Sequence, residues 1–481
     1  MAVLNWAFLV VLAYIPFQLA LNPTPGIDLL SMRVVIPILF VWWLGRGLVR
    51  GVVRMALTPQ TLLVCGFLLF MVASVFVADQ PGLAVRRLLY WGSIMPLYFV
   101  AADVLRERAM QLRVVRALIG SAVVAAIIGI VQFFGQFVVA RHIFSDAVGS
   151  SVSIYMQWWV AHIGPAFWGQ NLTATVGDYQ SLLVNIGGNT MMRLVSLFPD
   201  PHVAAFFFAL IAPLCLVVVL DPVIALSRRV RYAAYGLMLL VAVALTFSRG
   251  AYLAILLSAA LLAPFVWKLV QAHTHIQMHC ISRWARTALA TVLIAIVVVL
   301  ITPTPGNVIA ARLYSSFHIL DNSVSGRTDI WREAIAVIRQ RPLLGVGLGN
   351  YNFYLEPAAD FRTPIYAHNM YLDVAVEMGV PAAILWAMLL IYVIIDGLLV
   401  ALRAGGGRAA GLATPLSSLA LATASSTLIF ALYALVETPL YSPGVLSVLL
   451  VMIAMGAVAN GVYLQAPKRE KRRHPTARSS E

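Results

Sequence analysis

The sequence predicts an all-α polytopic membrane protein, and three features predict it. Hydrophobic residues fill 61% of 481 positions and charged residues only 11%, against about 25% charged in an ordinary soluble domain; the mean hydropathy is +0.90. Apolar stretches of about 20 residues, the length needed to cross a bilayer, recur along the chain. Arginines concentrate in every second connection between them, as they do on the cytoplasmic side of membrane proteins.

In chain order the stretches are residues 4–21, 29–45, 60–78, 84–102, 117–139, 202–220, 232–247, 251–270, 287–302, 371–400, 413–435 and 444–464, which makes about twelve spans. The first lacks a positive leading region and a small-residue cleavage site, so it reads as a retained helix rather than a removed signal. One set of connections carries Arg46, Arg50 and Arg54; Arg106, Arg108, Arg113 and Arg116; Arg228, Arg229 and Arg231; Lys268, Arg283 and Arg286; Arg403 and Arg408; and the tail Lys468-Arg469-Glu470-Lys471-Arg472-Arg473. These are cytoplasmic by the positive-inside rule, and both termini lie with them. The opposite, extracytoplasmic set holds Asn22 to Asp28, Ala78 to Arg87, Arg141 to Arg193, Ser248-Arg249-Gly250, the long segment from Pro303, and Glu437-Thr438-Pro439. The resulting organisation is one polytopic membrane domain, 1–464, with extracytoplasmic loops at about 140–200 and 303–370, and a basic cytoplasmic tail, 465–481.

The net charge of +14, from 33 Lys and Arg against 19 Asp and Glu, is accounted for by topology and contact with membrane lipid headgroups, so no nucleic-acid partner is implied. Cys65 and Cys215 fall inside spans and Cys280 has no partner on its side, so no disulfide framework is implied. The run His273-Thr274-His275-Ile276-Gln277-Met278-His279-Cys280 has spacing suited to a transition metal, but this topology puts it in the cytoplasm. A transporter or flippase would show broken helices and mid-bilayer charges; here the polar residues gather at one face.

The long segment between about Pro303 and Met370 needs a purpose, because arginine and histidine are costly beside lipid. Arg249, in the turn Ser248-Arg249-Gly250, must sit at or just below the surface; either snorkelling to headgroups or clamping a diphosphate with its planar fork satisfies it. Arg327 opens an amphipathic stretch with Ile330, Trp331, Ala334, Ile335 and Ile338 on one face, suited to the outer leaflet. Ser325 or Thr328 can cap it, placing Arg327 in its first turn, where the helix dipole favours an anion. The alternate glycines of Arg341-Pro342-Leu343-Leu344-Gly345-Val346-Gly347-Leu348-Gly349 lack a strand-helix setting and read as a turn where backbone approaches a ligand or a neighbouring span. His368 is a proton acceptor suited to neutral pH, and Asn369 a partner for a sugar hydroxyl. Asp373 and Glu377 share one helical face, turned to the bundle interior.

The ordered set Ser248-Arg249-Gly250, Ser325-Gly326-Arg327-x-x-Ile330-Trp331, Pro342-Leu343-x-Gly345-x-Gly347 and His368-Asn369-x-x-Leu372-x-x-x-x-Glu377-x-Gly379 resembles the O-antigen ligase and polymerase family, most strongly from about Arg193 to Trp386. The resemblance implies transfer of glycan from a polyprenyl (undecaprenyl) diphosphate-linked oligosaccharide donor to a glycan or lipid acceptor, at the outer face of a bacterial inner membrane, with neither metal nor cofactor. It makes Arg249 and Arg327 the diphosphate-binding arginines and His368 the catalytic residue, with inversion at the anomeric carbon. His202, in Phe198-Pro199-Asp200-Pro201-His202, stands where asparagine is usual. Arg86, Arg87 and Arg193 are further candidates for the carrier phosphates or the sugar, with Glu437 behind them. The segment from Arg141 to Met192 is longer than a ligase requires, which keeps an exopolysaccharide repeat-unit polymerase open as the alternative.

Overall fold

The computed structural model describes residues 2–24, 27–51, 53, 55, 57–143, 148–175, 180–186, 189–221, 223–274, 322–354, 366–405 and 410–464. Its helices are α1 (Ala2–Tyr14), α2 (Met32–Val49), α3 (Pro59–Val75), α4 (Pro81–Ile94), α5 (Pro96–Val104), α6 (Arg108–Ile143), α7 (Val148–Phe167), α8 (Gln170–Thr175), α9 (Pro201–Ile211), α10 (Leu216–Val219), α11 (Leu226–Leu245), α12 (Arg249–Thr274), α13 (Asn322–Gln340), α14 (Met370–Met378), α15 (Val380–Gly405), α16 (Ala410–Tyr433) and α17 (Pro443–Leu464). Two antiparallel hairpins lie in the connections, β1 (Ala20–Thr24) with β2 (Ile27–Leu30), and β3 (Leu183–Ile186) with β4 (Asn189–Met192). In the second, Leu183 pairs with Met192 and Ile186 with Asn189.

The chain is a mostly helical, multi-pass membrane protein. Among the described residues six stretches are long and apolar enough to cross a bilayer: Met32–Val49, Arg108–Val138, Pro201–Val219, Arg249–Val266, Val380–Arg403 and Leu416–Tyr433. Val3–Phe17, Pro59–Val75 and Pro443–Val458 are shorter apolar helices. The count of twelve is therefore not reproduced. Residues 287–302 lie outside the described residues, and two of the expected spans are broken. The run 84–102 divides at Met95, because Pro96 brings no N–H to continue the ladder of α4. The run 371–400 divides at Gly379, whose φ of +88° and closeness to Leu343, whose carbonyl oxygen would lie 2.1 Å from an added Cβ, admit only glycine. Broken helices are thus present, contrary to the reading of the sequence.

Helix α9 sits at the centre. Asp200 caps it by accepting from the His202 amide at 2.6 Å, and Pro201 occupies its first position. Phe206 through Ile211 are all buried, as expected of a helix apolar all round. Phe206 stacks on Tyr433 at the end of α16, with centroids 3.8 Å apart. The segment read as a loop after Arg141 instead contains α7, α8 and β3–β4, built around its own core of Tyr155, Met156, Trp159, Trp168, Leu182 and Met192.

Helix α13 begins at Asn322, so Ser325 and Thr328 lie within it and Arg327 falls in its second turn. Capping by either residue is overturned: the helix runs further back than its apolar pattern. Most of its apolar face packs on protein, with Ala334 and Val337 against Val346, Tyr351, Ala367 and Val376, while Ile335 stays exposed. The glycine-bearing turn is held against α14, the Val346 amide donating to the Val376 carbonyl at 2.8 Å and the Val380 amide to Pro342 at 2.8 Å. At Gly345, φ +68°, an added Cβ would lie 2.3 Å from the Val376 carbonyl oxygen, so the close approach this turn allows is to a neighbouring helix.

Candidate functional site

Three non-glycine residues among those described have positive φ: Ser196 at 55°, Phe247 at 51° and His368 at 48°. Such backbone costs of order 1–3 kcal/mol and persists only where the surroundings hold it. The holding is visible at His368. The Ala367 carbonyl accepts from Trp331 Nε1 at 2.7 Å and its amide donates to Asp373 Oδ1 at 2.8 Å. On the other side Asn369 Oδ1 caps α14, accepting from the Tyr371 and Leu372 amides at 3.1 and 3.2 Å, and the Met370 amide donates to Ala434. Thr438 donates to Asp373 Oδ2. Asn369 therefore positions the histidine's turn through its own carbonyl, which is occupied.

What His368 is aimed at is Glu437. Its Nδ1 lies 3.2 Å from Glu437 Oε2, while Arg327 Nη2 donates to Glu437 Oε1 at 2.8 Å. His202 Nδ1 approaches the same Oε1 at 3.6 Å and also lies 3.0 Å from Ser248 Oγ and 3.1 Å from the Tyr433 hydroxyl; Ser248 and Tyr433 are hydrogen-bonded to each other. One carboxylate thus gathers an arginine from α13, a histidine before α14, a histidine from α9 and, through that histidine, the turn that precedes Arg249.

Burial would raise the Glu437 pKa, but the charge of His202, the hydrogen bond and charge of His368, and the charge of Arg327 outweigh it and hold the carboxyl at about 2. An ionised carboxylate only accepts, so the bond to His368 assigns the proton to Nδ1 and leaves Nε2 as the basic nitrogen. The His368 side chain is 44% exposed and that of Arg327 32%. Arg327 carries five N–H donors and, among the described residues, spends one on Glu437, so the rest of the fork suits an anion.

The other sequence candidates separate. Arg249 is half-buried at the start of α12, directly after Ser248. Arg193 is buried and braces two backbone segments, donating from Nε to the Thr246 carbonyl at 2.6 Å and from Nη1 to the Ser181 carbonyl at 2.9 Å; its Nη2 is buried with no hydrogen-bond partner among the described residues. Arg86 is exposed. Arg87 lies instead against Tyr441 and Tyr366. Glu437, placed last from sequence, is at the centre. The signal that marked it was an acidic residue at a span end on the face carrying the arginines. Residues 275–280 of the histidine-rich run lie outside the described residues.

Residues 234–387 match a family model, Wzy_C, described as O-antigen ligase. None of the curated proteins compared with the chain matches it. The matched stretch holds Ser248, Arg249, Arg327 and His368; His202, Tyr433 and Glu437 lie outside it.

Proposed function

Because the chain belongs by this domain to the O-antigen ligase and polymerase family, we propose that it transfers glycan from a polyprenyl diphosphate carrier to an acceptor hydroxyl at the outer face of the bacterial cytoplasmic membrane. The observation that carries this reading is the meeting of Arg327 and His368 on one ionised carboxylate, Glu437. The two termini are cytoplasmic, as the alternation of arginines requires.

His368 Nε2 accepts the proton of the acceptor hydroxyl as its oxygen bonds to the anomeric carbon. The bond between that carbon and the carrier's phosphate oxygen breaks on the opposite face, so the configuration inverts, and the polyprenyl diphosphate departs as an anion. Arg327 and Arg249 stabilise the charge that grows on it; a donor aimed at developing charge is worth roughly 3–4 kcal/mol. Glu437 remains a carboxylate throughout, fixing the His368 tautomer and stabilising the imidazolium formed, the part an acid plays behind a histidine base. Buried Arg193 acts as a brace, holding the Thr246 carbonyl and with it the Ser248-Arg249 turn.

The test is reconstitution of the purified protein with a lipid-diphosphate-linked repeat unit and separation of products by size. A ladder identifies a polymerase and single transfer to a lipid or glycan acceptor identifies a ligase; recovery of unchanged donor in the presence of acceptors of both kinds overturns the reading.

A further inference from the structure

Four residues beyond Glu437, Tyr441 anchors a second polar cluster. Arg87 Cζ stands 4.0 Å from the centroid of the Tyr441 ring. Tyr366 stacks on that ring, with centroids 4.5 Å apart, and its hydroxyl accepts from Arg87 Nη2 at 3.4 Å. One turn along α4, Tyr90 lies beneath Arg33 of α2, with Cζ 5.0 Å from the ring centroid, and donates to the Leu440 carbonyl at 3.1 Å. Arg33 Nε donates to Ser93 Oγ at 3.4 Å. Exposed Arg86 precedes Arg87 on the same helix.

Among the described residues, none of these three arginines has a carboxylate within the 4.0 Å of an ion pair. Glu377 attracts Arg87 from beyond ion-pair distance and is held by Tyr441, whose hydroxyl donates to its Oε2 at 3.3 Å. Aromatic faces steady a guanidinium without neutralising it. Among the described residues most of the N–H donors of Arg33 and Arg87 have no protein acceptor, and they stand in planar forks that match the oxygens of a phosphate. Arg33 is also the second residue of α2, where the helix dipole disfavours a cation and favours an anion.

We propose that Arg33, Arg86 and Arg87, backed by Tyr90 and Tyr441, bind the phosphate headgroup of a lipid that carries the acceptor, at a site separate from the carrier diphosphate at Arg327. The proposal rests on the transfer reading above. Tyr366 is two residues from His368 and Tyr441 four from Glu437, which limits the separations along the chain to about 7 and 14 Å. A sugar chain rising from a phosphate on these arginines therefore reaches His368, while the donor occupies the Arg327 side. Two anions are thereby held on two sides of one base.

The test is a binding measurement, so it stands whether or not transfer is detected. Full-length protein in neutral detergent is titrated with phosphatidic acid, undecaprenyl diphosphate and phosphatidylcholine, and affinities are read by native mass spectrometry. The combined Arg33→Gln and Arg86→Gln variant is expected to weaken phosphatidic acid at least about tenfold and to leave undecaprenyl diphosphate within about threefold; Arg327→Gln is expected to do the reverse. Arg87→Lys, which keeps charge and loses the fork, should fall between. Unchanged melting temperatures show that the variants are folded. Equal loss of both phosphate lipids in every variant would mean a single shared site, and unchanged phosphatidic acid binding in the double variant, or phosphatidylcholine binding as tight, would mean that there is no phosphate site here.

Discussion

The two clusters flanking the 437–441 turn share arginine and tyrosine and differ in how their charge is countered. Around Glu437, Arg327, His202 and His368 converge on one buried carboxylate. Around Tyr441, Arg33 and Arg87 face aromatic rings and hydroxyls, with no ion pair among the described residues. A carboxylate inside a cluster fixes the protonation and orientation of its neighbours, which suits a reacting centre. A cluster whose carboxylate, Glu377, is held by a tyrosine hydroxyl rather than paired with its arginines leaves their N–H donors for a ligand. The distinction would have been invisible in a census of external arginines, where all of them count alike.

The largest effect expected from breaking the first cluster is at His368. Replacement by alanine should lower turnover by about 10² to 10⁴, the range for a lost general base, while affinity for undecaprenyl diphosphate stays close to wild type; full turnover would make the histidine structural. Next comes Arg327→Lys. It keeps a charge but cannot bond Glu437 and a phosphate through one planar fork, so transfer should fall by about 10² to 10³, and a loss below about threefold would remove Arg327 from the site.

A smaller effect sharpens the comparison through pH. The folded-state pKa of Glu437 is depressed from 4.5 to about 2, so its ionised form favours the fold by roughly 3 kcal/mol. That contribution is complete above about pH 4.5 and fades as the pH falls toward 2. The melting-temperature advantage of wild type over Glu437→Gln should accordingly narrow as the pH falls from 5 to 3. A difference that widens on acidification would show that Glu437 is not held ionised by its neighbours.

The turns that bear Arg249, Arg327 and His368 were legible because each is a local signal: a charge where lipid makes charge costly, or a histidine at a span end. Glu437 was not legible to the same degree, since its partners stand 110 and 69 residues away in sequence and only tertiary packing shows that they meet. His202 is similar, its position set by the Asp200 cap and the Pro201 start of α9. Span boundaries failed for a physical reason. Pro96 and Gly379 sit within continuous apolar runs, and hydropathy is blind to a missing N–H or a positive φ. The helix carrying Arg327 begins at Asn322, earlier than the caps that Ser325 and Thr328 suggested, because a serine or threonine inside a helix looks the same in sequence as one at its start.

The most direct test of the central claim, that Glu437 acts by fixing His368 as the base, is a double-mutant cycle on turnover at saturating lipid-linked donor. Glu437→Gln is expected to lower turnover by about 10- to 100-fold in the wild-type background, roughly 1.4–2.7 kcal/mol, and by less than about threefold when His368 is already alanine, which makes the coupling at least about 0.7 kcal/mol. Losses that multiply in the double variant, or a Glu437→Gln enzyme with full turnover, would contradict it.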